Sequence, residues 1–293
     1  MDSQSPQREC CPMDTNITPT TAVTVNEILH RYERDCLDEL APRTQIDYRR
    51  HLVRLREVFG SAIAAELEPK DFGPFLNVKK GKFQRVKQLA VLSSAFTYAV
   101  RRWYWIPRNV LRDVERPKSK PRDRLVTAEE FAAVRALAPY RIQLAMDLAV
   151  MTGQRQGDLL SLRWIDIRDM AIQIYQSKTG KRLAIEITPD LEAVLDKCWQ
   201  LPSRGAYVLS PARGGERYTG EGFRAMWQRN MRKALRLSAI LTRHTFHDLR
   251  ALAATRCATP EIAMRLLGHT NMAMTMRVYR RGVEHVKALG LQQ

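Results

Sequence analysis

Apolar residues return along this chain mostly at helical intervals. A polar stretch over residues 1–22, rich in Ser, Pro and Thr, reads as a disordered leader. Thr24 then stands where an N-cap belongs and predicts a helix over Val25–Cys36. Ile46, Leu52, Leu55 and Phe59 recur near helical spacing, so a second helix is expected over Pro42–Phe59, stopped by Gly60. A longer one is expected over 82–102, with Val86, Leu89, Leu92, Phe96 and Val100 along one face. Thr127 with Glu130 three residues on is the reciprocal capping pattern, placed to start a helix over 126–136. Residues 141–151 read as a buried helix ended by Gly153. The period then changes: 171–175 and 182–187 read as a hairpin around Lys178-Thr179-Gly180-Lys181.

One segment interrupts this order. ERPKSKPRDR, residues 115–124, has no apolar residue and two prolines amid charge, the composition of an extended linker. A chain of 293 residues with 45% apolar content is long enough for two domains with a core each. The expected division is a leader over 1–22, a helical domain over 23–114, a linker over 115–125 and a second domain over 126–293. The fold class is mainly α, with a small antiparallel sheet in the C-terminal domain.

Charge narrows the partner. The 48 Lys and Arg outnumber the 31 Asp and Glu, for a formal charge of +17, so a polyanion is the leading candidate. A ribosome-associated or merely soluble basic protein has the same balance. The five cysteines, at 10, 11, 36, 198 and 257, show no paired zinc-site spacing and cannot all pair with one another, so reduced thiols in a cytosol-like compartment are expected. There is no signal-peptide core and no apolar run near membrane-spanning length, so no membrane partner is expected.

Four basic clusters and one late tyrosine then carry the candidate chemistry: Thr152-Gly153-Gln154-Arg155, Lys178 in the hairpin turn, His247-Asp248-Leu249-Arg250, and Leu267-Gly268-His269 followed by Tyr279. His247 and Arg250 are three apart, so a helix would place both on one face toward a single phosphate, while Leu249 and Leu252 turn to the core.

The order Arg, Lys, His-x-x-Arg, His, Tyr resembles the tyrosine site-specific recombinase, or phage integrase, family. The resemblance extends over about residues 24–285. TGQRQGDLLSLRWIDI is similar to its first arginine box, QSKTGKRLAIEI to its lysine-bearing hairpin, FHDLRALAATRCA to its second box, and LLGHTNMAMTMRVYRR to its terminal box. It implies a helical core-binding domain and a catalytic domain that together form a C-shaped clamp on duplex DNA, a homotetramer on DNA, and accessory bending or directionality proteins. It implies Tyr279 as nucleophile, with Arg155 and Arg250 holding the non-bridging phosphate oxygens through their multi-donor forks. Lys178 would protonate the leaving 5′ oxygen, His247 would take the tyrosine proton, His269 would donate to the phosphate and Asp158 would orient its basic neighbours. Because a phosphotyrosyl bond keeps the energy of the broken linkage, neither ATP nor metal is needed. The sequence accordingly offers no glycine-rich phosphate loop and no carboxylate cluster for magnesium.

The sequence departs from the pattern twice: Asp158 stands where glutamate is more familiar, and His269 and Tyr279 are ten residues apart, one more than is commonest. Arg43, Thr44, Arg49, Lys82, Arg85 and Lys87 are the expected DNA contacts of the first domain, by charge and by resemblance. No separate arm-site-binding domain is expected, since some twenty residues precede the first helix. Residues 283–289 could form a tail helix docking on a neighbouring protomer. The preferred role is the integrase of a phage, prophage or integrative element. A chromosome-dimer-resolving recombinase, a type IB topoisomerase, a catalytically idle DNA-binding relative and an RNA-binding factor are the alternatives.

Overall fold

The computed structural model describes residues 22–78, 80–118, 124–202, 205–212 and 217–276. The leader, Tyr279 and the tail segment 283–289 therefore lie outside the described residues. The chain divides into two compact units, Met1–Lys120 and Pro121–Gln293, and the boundary falls inside the proline-containing charged segment.

The first unit is helical: α1 (Val25–Cys36), α2 (Pro42–Phe59), the short α3 (Gly73–Leu76) and α4 (Lys82–Arg101). Thr24 and Glu27 form the capping box that starts α1, each satisfying a backbone N–H that the first turn would otherwise leave orphaned. Ile28, Leu29, Leu52, Leu55, Leu89, Leu92 and Phe96 share one buried core, so three amphipathic faces close on each other. Ile46, placed on the α2 apolar face by spacing, is instead 45% exposed: it lies in the second turn, ahead of the part of the helix that packs. Val86 and Val100, near the ends of α4, are half-buried.

The second unit starts with α5 (Ala128–Leu137), two residues later than expected because Thr127 is its N-cap. It continues through α6 (Tyr140–Thr152) and α7 (Gln156–Leu160). A three-stranded antiparallel sheet follows, β1 (Ile167–Arg168), β2 (Ala171–Tyr175) and β3 (Arg182–Glu186), in the order β1-β2-β3. Tyr175 pairs with Arg182 at the top of the hairpin, which fixes where Lys178 turns. Helices α8 (Pro189–Trp199), α9 (Gly220–Arg236), α10 (Asp248–Arg256), α11 (Pro260–Leu267) and α12 (Met272–Met274) complete it; of these five the sequence reading anticipated only a helix carrying His247 and Arg250, without bounds. The core joins Leu144 and Leu148 of α6 to Ile172 and Ile174 of β2, Trp227 and Met231 of α9, and Leu249 and Leu252 of α10.

Candidate active site

The site forms where α6 and α11 both stop. Gly153 and Gly268 end these helices with φ of +64° and +67°, a left-handed turn that glycine enters without steric cost. These turns leave the carbonyls of Gly153, Leu266 and Leu267 available to side chains. Gly268 is further constrained by space, since a Cβ there would lie 2.8 Å from Gln176 Nε2.

Arg250 fills this junction. It is 1% exposed. Its Nη1 donates to the Gly153 carbonyl and its Nη2 to the Leu267 carbonyl at 2.6 Å. Nη2 also lies 3.2 Å from His269 Nε2. Gln176, with no exposed surface, is the second hub: its Nε2 donates to Leu267 O at 3.0 Å and to Gln154 Oε1 at 2.7 Å, and its Oε1 accepts from Arg155 Nη1 at 3.0 Å. Gln154 reaches across to the Leu266 carbonyl at 2.8 Å. Arg155 and Arg250 are thus connected through one carboxamide and one carbonyl oxygen, and a guanidinium fork from each chain segment is held in place.

Asp158 ties the hairpin to this pair. Its Oδ1 accepts from Ser177 N at 3.0 Å and Ser177 Oγ at 2.7 Å, and its Oδ2 lies 3.9 Å from Arg155 Nη1. Lys178, the next residue, is exposed in the turn. Lys181, on the other side of the turn, was not singled out from sequence. Its charge nevertheless reaches the buried histidine: burial first, then Arg250, Arg155, Lys181 and His247, push the His269 imidazole down to about 4.

His247 corrects the helical reading of His-x-x-Arg. Helix α10 begins at Asp248, because the Asp248 carboxylate accepts from the Thr245 N–H and hydroxyl, both at 2.7 Å, and caps the preceding turn. His247 is therefore the N-cap residue and exposed, while Arg250 is buried one turn in. The His247 imidazole, when protonated, is one of the charges that bear on His269.

Sequence reasoning gave no role to Gln154, which it named only as part of a cluster, and missed Gln176 and Thr275; all three are buried. The signal for the glutamines was faint: each sits beside a motif residue, in TGQR and QSKT, but their partners are up to 112 residues away.

In the first unit, Lys82 and Lys87 are exposed near the start of α4, and Arg85 stacks its guanidinium 4.6 Å from the Phe75 ring. On α2, Arg43 lies 3.6 Å from Asp47, Arg49 lies 3.5 Å from Asp38 and 3.8 Å from Glu33, and Thr44 is half-buried. Among the described residues no cluster of His, Cys, Asp and Glu is arranged to hold a metal, and no helix is long and apolar enough to cross a membrane.

A pair of forked cations beside a buried histidine, with a lysine hairpin leashed to them, presents donors suited to the oxygens of a phosphate group. The family model for the phage integrase family matches residues 124–285. The integrase of Escherichia phage HK022 is 31% identical over 280 residues, covering 87% of this chain and 75% of that protein. Among solved structures, a lambda integrase dimer bound to a COC′ core site superposes with a TM-score of 0.79 at 29% identity, covering 92% of this chain and all of that one. A lambda integrase tetramer bound to a Holliday junction gives 0.78 at 28% identity, over 92% of this chain and 81% of that one. The chain belongs to the phage integrase family and is a site-specific recombinase of the tyrosine class.

Proposed function

We propose that this recombinase cuts and rejoins duplex DNA through a covalent bond between Tyr279 and the 3′ phosphate, in the service of an integrating phage, prophage or related element. What carries the reading is the linkage of Arg155 and Arg250 through Gln176 and the Leu267 carbonyl, which holds two guanidinium forks beside one histidine.

The chemistry balances with side chains alone. Tyr279 Oη attacks phosphorus, its proton passing to His247, while the phosphorus to 5′-oxygen bond breaks and that oxygen takes a proton from Lys178. Arg155, Arg250 and His269 stabilise the charge on the non-bridging oxygens. Rejoining reverses each step with a 5′ hydroxyl from the partner strand. Because the phosphotyrosyl bond retains the energy of the linkage, the proposed reaction draws on neither ATP nor metal.

The helical unit is assigned as the core-binding domain, with Arg43, Thr44, Arg49, Lys82, Arg85 and Lys87 facing DNA. Lambda integrase forms a dimer on a core site and a tetramer on a Holliday junction in the structures named above. The same partners are proposed here: duplex core sites, three further copies of the chain, a tail contact between protomers, and accessory bending or directionality proteins, in the cytosol near the nucleoid.

The test uses a pool of labelled duplexes with randomised 40-bp inserts, incubated with the full chain in EDTA and run on a denaturing gel. Protein-linked DNA that disappears in Tyr279→Phe, Arg155→Ala and Arg250→Ala supports the assignment. Loss of the adduct in EDTA with recovery on adding magnesium overturns metal independence.

A further inference from the structure

The arginine and histidine cluster ends on a residue outside the motif positions. Thr275 has no exposed surface, stands just after α12, and precedes Tyr279 by four residues in sequence. Its Oγ1 lies 2.9 Å from His269 Nδ1.

The neighbours decide where the His269 proton sits. Arg250 Nη2 is 3.2 Å from Nε2, and a guanidinium has donors and no acceptor. Nε2 must therefore present its lone pair. The ring is neutral, since burial and the cations around it, Arg250 of α10, Arg155 ahead of α7 and Lys181 of the hairpin, all oppose protonation, as does His247 ahead of α10 whenever it carries a proton. A neutral imidazole with a bare Nε2 carries its proton on Nδ1, and Thr275 Oγ1 accepts it.

This tautomer is wrong for a phosphate donor. To stabilise a non-bridging oxygen through Nε2, His269 needs the proton on that atom, and Nδ1, buried, then needs a donor in place of an acceptor. A hydroxyl meets both requirements by rotating about its Cβ–Oγ bond. We propose that Thr275 is a positioning residue that lets His269 exchange tautomers: it accepts from Nδ1 while Nε2 faces Arg250, and donates to Nδ1 when Nε2 carries a proton to the scissile phosphate. The exchange takes one proton from Nδ1 to water and brings one from water to Nε2, so the ring is neutral before it and after it. The inference rests on the recombinase reading of the site and adds a residue to it.

Two variants separate the hydroxyl from the shape. Thr275→Val keeps the volume and loses the hydroxyl, whereas Thr275→Ser keeps the hydroxyl. Partners that orient a functional imidazole in metal sites are worth on the order of 10- to 100-fold when removed, and an effect of that size is expected here. Rates of adduct formation on the randomised pool at saturating protein should fall by that factor in Thr275→Val. They should recover in Thr275→Ser, with DNA affinity and melting temperature held in both. Selective 15N labelling of histidine in the full chain without DNA should show His269 protonated on Nδ1. A free protein with His269 protonated on Nε2, or equal impairment of the serine and valine variants, overturns the proposal. An adduct lost in His269→Gln but undiminished in Thr275→Val overturns this inference alone, while no Tyr279-dependent adduct from the parent chain overturns the recombinase reading with it.

Discussion

The Asp158 carboxylate receives both the backbone N–H and the hydroxyl of Ser177, at 3.0 and 2.7 Å, and so anchors the lysine hairpin to the turn that carries Arg155. Ser177 brings both donors to a single oxygen of this aspartate. Removing it in Asp158→Ala leaves those donors without their acceptor and frees the root of the hairpin. Adduct formation is expected to fall on the order of 10- to 100-fold, as for other groups that orient a reacting neighbour. DNA affinity should change much less. Parallel measurement of adduct rate and duplex binding checks this, and an unchanged rate would remove Asp158 from the mechanism.

Arg155 and Arg250 should separate in stability. Arg250 donates to the carbonyls of Gly153 and Leu267 from a fully buried position, and a buried polar group left unpaired costs about 1–3 kcal/mol. Arg155 gives one hydrogen bond to Gln176 from a side chain that is 18% exposed. Both alanine variants should abolish the adduct, but only Arg250→Ala should lower the melting temperature by several degrees. Equal melting of the two would contradict the structural role given to Arg250.

What the sequence shows well is what depends on neighbours in the chain. The capping boxes at Thr24 and Thr127 place their helices, and the hairpin follows from its turn. The motif residues Arg155, Arg250 and His269 could be named before any geometry was known. Less legible is whatever depends on partners far along the chain. Gln176 reads as one more polar residue before a turn, yet it is wholly buried because Leu267 and Gln154 meet it there. His247 was placed inside a helix because three-residue spacing says nothing about where Asp248 caps it.

The two hairpin lysines should divide by chemistry. If Lys178 protonates the leaving oxygen, Lys178→Ala should be rescued by a duplex with sulfur in the 5′ bridging position, because a thiolate leaves without a proton. Lys181→Ala, whose charge bears on His269, should show no such rescue. Rates on oxygen and sulfur substrates measure this directly. Rescue of Lys181→Ala alone would exchange the two roles.

Two buried histidines should make the catalytic unit sensitive to acid. Burial, and then the charge of Arg124, push His244 down to about 4, where His269 also lies, against an ordinary value of 6.5. Above pH 6.5 both rings are neutral folded or unfolded, and stability is full. As pH falls from 6.5 toward 4 the unfolded chain takes up protons that the folded one refuses, so stability declines with a slope approaching two protons. Urea unfolding from pH 7.5 to 4.5 should show that decline, and a constant midpoint down to pH 5 would contradict it.

The most direct test of the account is the identity of the linked amino acid. Tyr279 lies between Arg277 and Arg280, so trypsin should release Val278-Tyr279-Arg280 from a nuclease-trimmed adduct. Mass spectrometry is expected to find the nucleotide on that tripeptide, joined through its 3′ phosphate. Nucleotide on Tyr175, Tyr218 or any other residue would contradict the assignment of Tyr279 as the nucleophile.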